Sequence, residues 1–161
     1  MKHSIFLFLV VLASRMPAVA QLKPFGLGPY FEKAWLQGSS SENWNDAWGL
    51  GLSADLKLPG RLGVTGSAGY FMASGKTVEG RRQPSLKAWP IRAGIKYRLF
   101  PAVYLKAEGG YASVNGHSDG SAIFSPGVGV RLLNIDIQAK MEQWWGAADL
   151  RSWGLRLAIQ F

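Results

Sequence analysis

From residue 25 to the end of the chain, apolar and polar side chains alternate in twos, and no stretch sustains a 3.6-residue period. Period two sends one set of side chains to one face of a strand and the remainder to the other. The alternation predicts eight strands, at 25 to 36, 47 to 58, 61 to 73, 87 to 99, 103 to 114, 122 to 132, 134 to 145 and 151 to 161. In the last of them Trp153, Leu155, Leu157, Ile159 and Phe161 share one face, and Ser152, Gly154, Arg156, Ala158 and Gln160 the other. Most segments reach the about 9 to 11 residues that a tilted strand needs to cross a hydrocarbon layer, against about 5 to 6 in soluble sheets.

The two faces differ in more than polarity. One set is bulky and apolar, as in Leu50, Leu52 and Leu56 or Ile91, Ile95 and Tyr97, and carries no charge from the second predicted strand to the eighth. On the first strand Lys33 shares a phase with Phe31 and Trp35, which leaves that strand ambiguous. The other set holds Asp55, Lys57, Arg92, Lys96, Arg98, Lys106, Glu108, Arg131, Asp136, Lys140, Glu142 and Arg156, with Glu32 joining them, interleaved with many glycines. An eight-stranded barrel encloses room for side chains and nothing wider, so long charged groups fit inside only where small neighbours make space. The glycines therefore put the charged set inside and the apolar set outside, with Gly66 and Gly109 as exceptions. Charges so enclosed must pair, which predicts a salt-bridge lattice filling the lumen. Pro126 falls inside the sixth strand, where a missing N–H calls for a bulge or a later start.

Connections alternate between tight turns ("LPGRL", "FPAV", "LLNID") and long polar loops ("QGSSSENWND", "SGKTVEGRRQPSL", "NGHSDGS", "WGAADLRS"). All seven tryptophans lie near or within the long loops. Trp35, Trp48, Trp89, Trp145 and Trp153 read as an aromatic belt at a membrane-water boundary. Short turns at one end and long loops at the other are the wiring of an outer-membrane barrel, giving the fold class as all-β, an eight-stranded antiparallel up-and-down transmembrane β-barrel.

Composition adds a compartment. The first twenty residues carry Lys2, an apolar run from Ile5 to Ala13 and Ala18-Val19-Ala20. That is the plan of a secretory signal peptide cut near Ala20, leaving residues 21–161 as one barrel domain. Without Lys2 and Arg15 the chain keeps 16 basic residues against 10 acidic ones. There is no cysteine, so a secreted chain of this kind depends on closure rather than disulfides. His117 is the sole imidazole past the signal, which argues against a histidine metal site, and no cofactor is expected.

The signal peptide, the eight alternating segments, the unit "FSPGVGVRLLNIDIQAKME" and the C-terminal aromatic together resemble the small eight-stranded outer-membrane barrels of Gram-negative bacteria. These are of the outer-membrane protein A and X type, and the chain looks closest to the porin-like outer membrane β-barrel group of Bacteroidota. The resemblance implies a location in the outer membrane of a Gram-negative bacterium. It also implies that Leu157, Ile159 and Phe161 form the signal read by the barrel-assembly machinery.

For function, these features favour a structural, adhesion or surface-interaction role, with outer-membrane lipid and lipopolysaccharide as partners and an extracellular partner met through the long loops. Lys76, Arg81, Arg82 and Lys87 gather where lipopolysaccharide phosphates would lie. One alternative is a narrow pore that prefers anions, given eight basic against five acidic groups in the inner set. Another is an acyl hydrolase acting on lipopolysaccharide through His117, Ser118 and Asp119. The lipid A deacylase family places its serine two positions after the histidine, where this chain has Asp119, so no enzyme is expected. A soluble lipocalin-like carrier is the rival of a different class. A signal peptide and the lack of a basic helix speak against nucleic acid.

Overall fold

The computed structural model describes residues 25–78, 81–115 and 119–161; the expected signal peptide at 1–20 lies outside the described residues. The elements in order are β1 (Phe25–Gln37), a helical turn α1 (Ser39–Asn43), β2 (Trp44–Lys57), β3 (Leu62–Gly75), β4 (Thr77–Val78), β5 (Arg81–Arg82), β6 (Leu86–Arg98), β7 (Val103–Val114), β8 (Ser121–Leu132), β9 (Ile135–Gly146) and β10 (Leu150–Ile159). The eight long strands follow the alternating segments closely, the largest shift being the start of β2 at Trp44. They close into a barrel in the order β1-β10-β9-β8-β7-β6-β3-β2, each neighbour antiparallel. β4 and β5 form a separate ribbon in the loop between β3 and β6.

Closure happens between the ends of the chain. β10 pairs with β1 from Tyr30↔Ala158 to Gln37↔Arg151. Past the end of β10, the Phe161 N–H donates to the Leu27 carbonyl at 3.0 Å and the Leu27 N–H donates back at 3.3 Å. Every long strand thus has two neighbours and the sheet has no open edge, the condition for placing backbone amides in hydrocarbon.

The turn end is built tightly. Gly60, at φ 81°, takes the left-handed conformation of the β2–β3 turn. Leu132 pairs with Ile135 across a two-residue turn in which Leu133 also has a positive φ, of 56°. β-Hairpin turns of this length favour positive φ because their twist matches that of the strands, although glycine or asparagine fills such positions at lower cost.

Pro126 neither bulges β8 nor delays its start. The register to β9 is the same on both sides, Phe124↔Gln143 and Gly127↔Lys140, and the ladder is interrupted only at Ser125 and Pro126, while Ala107↔Pro126 holds on the β7 side. A residue in an interior strand directs its N–H toward one neighbour, so a proline opens one ladder and spares the other. Pro90 does the same in β6, keeping its pairing to Ala112. Among the described residues the one register shift lies between Trp44 and Ala47 in β2, beside the loop.

The bulky apolar set faces outward; Ile91 is 66% exposed and Trp89 56%. Lys33 also faces outward and pairs with Asp46 at 3.6 Å, which resolves the ambiguity of the first strand. The exceptional glycines are outward too, in one register row with Ala54 and Ala93 (Ala54↔Gly66↔Ala93↔Gly109).

Candidate functional site

The inward positions divide the lumen into three layers, because parity fixes which residues point in and distance along each strand fixes their level. Nearest the long loops the layer is apolar. Phe71, Leu86, Val114, Ile123, Trp144 and Leu150 pack there with inward alanines such as Ala47 and Ala73. Trp144 is fully buried, its ring 5.2 Å from that of Phe71, and its Nε1–H donates to Glu142 at 2.6 Å. In sequence this tryptophan groups with the others near the loops. It sits inside because it shares the parity of Glu142 and Lys140 on β9, while adjacent Trp145 has the parity of the outer face. That parity was the signal available in the sequence.

The middle layer is ionic. Arg92 Nη2 reaches Glu142 at 2.8 Å and Glu32 at 3.2 Å. Lys140 bridges the same carboxylates at 2.6 and 2.8 Å. Arg156 binds Glu32 at 3.0 Å and Glu108 at 3.4 Å, and Lys106 holds Glu108 at 3.0 Å. Four cations and three carboxylates from five strands are thereby joined, every one buried. Glycines make the space, as expected: a side chain at Gly49 would meet Glu32, and one at Gly69 would meet the Tyr30 hydroxyl. The Arg156 guanidinium lies 4.3 Å from the Tyr30 ring centre, a cation-π contact between two buried side chains.

The layer toward the tight turns centres on two aspartates. Lys96 contacts Asp55 at 2.6 Å and Asp136 at 3.3 Å. Arg131 binds Asp136 at 3.1 Å and also reaches Asp55 and Gln160. The Tyr104 hydroxyl donates to Asp136, and Lys96 Nζ lies 4.0 Å from the Tyr104 ring centre. Beyond these groups the barrel opens into a cavity of about 440 Å³ lined by Lys57, Arg61 and Arg98 among others. Lys57 and Arg98 therefore stand at a half-exposed mouth, whereas the other ten residues of the predicted charged set belong to the two ionic layers.

On the outside, Trp35, Trp89, Trp145 and Trp153 are exposed near the loop end. Trp48 is half-buried, its ring edge-on to Tyr70 at 6.3 Å, and Tyr70 is edge-on to Trp89 at 5.1 Å. Leu157 and Ile159 point outward on the closing strand, and Phe161, just past its end, is exposed as well. Contacts tie the loops together: the Trp44 Nε1–H donates to the Pro84 carbonyl at 3.1 Å, Lys76 Nζ donates to the Ser41 carbonyl of α1 at 2.7 Å, and the Ser40 hydroxyl donates to the Asp149 carbonyl at 3.1 Å. Lys87 is exposed one position before Trp89's neighbour Ala88. Arg81 and Arg82 lie on β5, where the side chains are outside the described residues, as are His117 and Ser118. Among the described residues no group of three or more acidic, histidine or cysteine side chains is arranged to hold a metal.

A family profile described as the outer membrane protein beta-barrel domain matches residues 5–151. The fold is similar to that of the Yersinia pestis outer membrane protein Ail in a phospholipid bilayer nanodisc, with a TM-score of 0.58 and 17% identity over 83% of this chain and 99% of that one. It is equally similar to a de novo designed transmembrane β-barrel, at a TM-score of 0.58 and 14% identity over 86% and 98% of the two chains. At such identities the likeness concerns the fold. A sequence search of curated proteins returns no match.

Proposed function

The chain belongs to the outer membrane protein beta-barrel domain family, and from that premise we propose that it works as a closed, membrane-integral barrel whose long loops carry a surface-interaction or adhesion role. The observation that carries the closed state is the stacking of the buried ionic lattice beneath the apolar layer that contains Trp144 and Phe71. Acyl chains would meet the outward leucines, isoleucines and aromatics, while the inner carboxylates are each paired with cations in a medium where unpaired ions are costly.

In this reading the chain sits in the outer membrane of a Gram-negative bacterium after a cut near Ala20, with tight turns toward the periplasm and long loops outside. Leu157, Ile159 and Phe161 serve the assembly machinery. Trp35, Trp48, Trp89, Trp145 and Trp153 mark the outer boundary. Lys76, Arg81, Arg82 and Lys87 meet lipopolysaccharide phosphates just above it.

The test is planar-bilayer conductance of the refolded chain, after heat-dependent migration in detergent gels has shown a folded barrel. Silence is expected. Stepwise conductance favouring anions would replace this reading with the pore, and loss of an acyl chain from lipid A incubated with the same preparation would replace it with the hydrolase.

A further inference from the structure

The charges of the lumen do not balance, and the imbalance is concentrated at one end. In the middle layer four cations face three carboxylates. Among the described residues the cavity at the turn end is lined by five cationic side chains, Lys57, Arg61, Lys96, Arg98 and Arg131, and by one acidic side chain, Asp55. Asp55 is already engaged by Lys96 and Arg131, and the nearby Asp136 takes the same two cations and the Tyr104 hydroxyl. Both aspartates are thus committed to the floor, while Arg61 and Arg98 stand at the mouth above them.

The strand pairing sharpens this. The Arg98 N–H donates to the Arg61 carbonyl at 2.8 Å, so Arg61, in the turn just before β3, stands opposite Arg98 at the end of β6. Arg98 is further anchored by donating to the Gly60 carbonyl at 3.1 Å. Like charges directly opposite on paired strands destabilise a sheet. An anion between them reverses the sign of that interaction, and guanidinium groups present the planar forks that match phosphate oxygens. We propose that the turn-end mouth is a binding site for a phosphate-class anion, held by Arg61 and Arg98 with Lys57 at the rim. A phosphate group could reach the mouth as a soluble ion or as the headgroup of an anionic phospholipid, since Phe161 and Leu133 place the rim among apolar side chains. That the mouth faces the periplasm rests on the reading above; the binding itself does not.

The experiment uses the refolded full chain in two settings. In nonionic detergent micelles, inorganic pyrophosphate is titrated by calorimetry. In nanodiscs of phosphatidylcholine with a minor share of phosphatidylglycerol, retained lipid is read by native mass spectrometry. Saturable one-to-one binding of pyrophosphate is expected, or preferential retention of phosphatidylglycerol. The first alone assigns a soluble anion, and the second a headgroup. The doubly substituted Arg61→Gln/Arg98→Gln chain should bind at least about tenfold more weakly, and Lys87→Gln, at the far end, should bind as the parent does. Arg61→Gln alone, at an exposed turn position, serves if the double variant loses its heat-dependent gel shift. The proposal is overturned if neither probe binds, or if the arginine variants bind as tightly as the parent. A folded, bilayer-inserted chain with no anion binding sinks this proposal alone, whereas a chain that never enters membranes sinks the reading of the barrel.

Discussion

Arg156 and Glu32 stand 124 residues apart in the chain and directly opposite each other in the seam where β10 meets β1, with both Nε and Nη2 of the arginine on one carboxylate oxygen at 3.1 and 3.0 Å. The last strand and the first are therefore joined by a charge pair as well as by a backbone ladder. Glu32 is also held by Arg92 and Lys140, so the seam is tied into the whole middle layer.

Removing one member of such a buried pair leaves its partner partly uncompensated, at a cost of about 3 to 5 kcal/mol. Arg156→Ala should lower stability by about the smaller figure, because Lys140 and Arg92 still face Glu32. A double Glu32→Gln/Arg156→Met variant should lose less than the two single changes summed. Urea unfolding of the lipid-refolded barrel reads both. An Arg156→Ala chain unfolding at the parent's urea midpoint would show that the lattice contributes nothing to closure.

Gly129 marks where a ring is accommodated by absence. A Cβ added there would collide with the ring tip and hydroxyl of Tyr104. Displacing the ring would also loosen its hydrogen bond to Asp136. Gly129→Ala should cost about 1 to 3 kcal/mol, the usual range for overpacking a filled interior. Adding Tyr104→Leu should make that cost shrink. If Gly129→Ala is equally harmful with and without Tyr104, the ring is not what the glycine serves.

The barrel was legible in the chain because closure and two-sided solvation leave a period-two record on every strand. Arg92, Glu108 and Lys140 could be placed inside from glycine density alone. What escaped was contrast within the inner set: Phe71, Leu86 and Trp144 share its parity but not its polarity, and a search for charges passes over them. The ribbon of β4 and β5 and the turn α1 escaped for another reason. Each is too short to leave a period, and they are fixed by contacts such as Lys76 to Ser41 that no local pattern encodes. Pro126 looked like a flaw because sequence does not reveal which neighbour its missing N–H would have addressed.

Leu133 carries backbone strain at the turn between β8 and β9. Its φ of 56° costs an ordinary residue about 1 to 2 kcal/mol that glycine escapes. Leu133→Gly should therefore be neutral or stabilising by up to about 1 kcal/mol in spite of glycine's greater freedom when unfolded, and Leu133→Val should be destabilising. Equal losses from both would mean that the exposed leucine side chain matters more than the turn conformation.

The outward face should punish charge. Ile91 lies mid-strand on β6, 66% exposed, between Ala68 and Tyr111. In a bilayer, Ile91→Arg, one outward position inside the Trp89 boundary, should cost at least about 1 kcal/mol, between the about 2 to 4 kcal/mol of an arginine at the midplane and the near-zero cost of one at either rim. In water the same exchange would remove an exposed apolar group and cost almost nothing. Unfolding in lipid decides between the two, and an innocuous arginine at 91 would revive the soluble carrier.

The last expectation separates two neighbouring tryptophans on opposite sides of one strand. Trp145 is exposed on the outer surface of β9 and Trp144 is fully buried inside, so in a membrane only the former should be reached by lipid. Two variants, each retaining one of the pair with the other six tryptophans changed to phenylalanine, can be refolded into vesicles of ordinary or brominated phospholipid. Emission from Trp145 should fall severalfold in brominated lipid, as contact quenching demands, while Trp144 should keep most of its intensity. Trp144 should also stay protected from aqueous iodide, because the inner apolar layer that includes Phe71 and Leu150 packs around it. Lipid quenching of Trp144 would mean that β9 is turned over, exchanging the inner and outer faces on which the closed lumen depends.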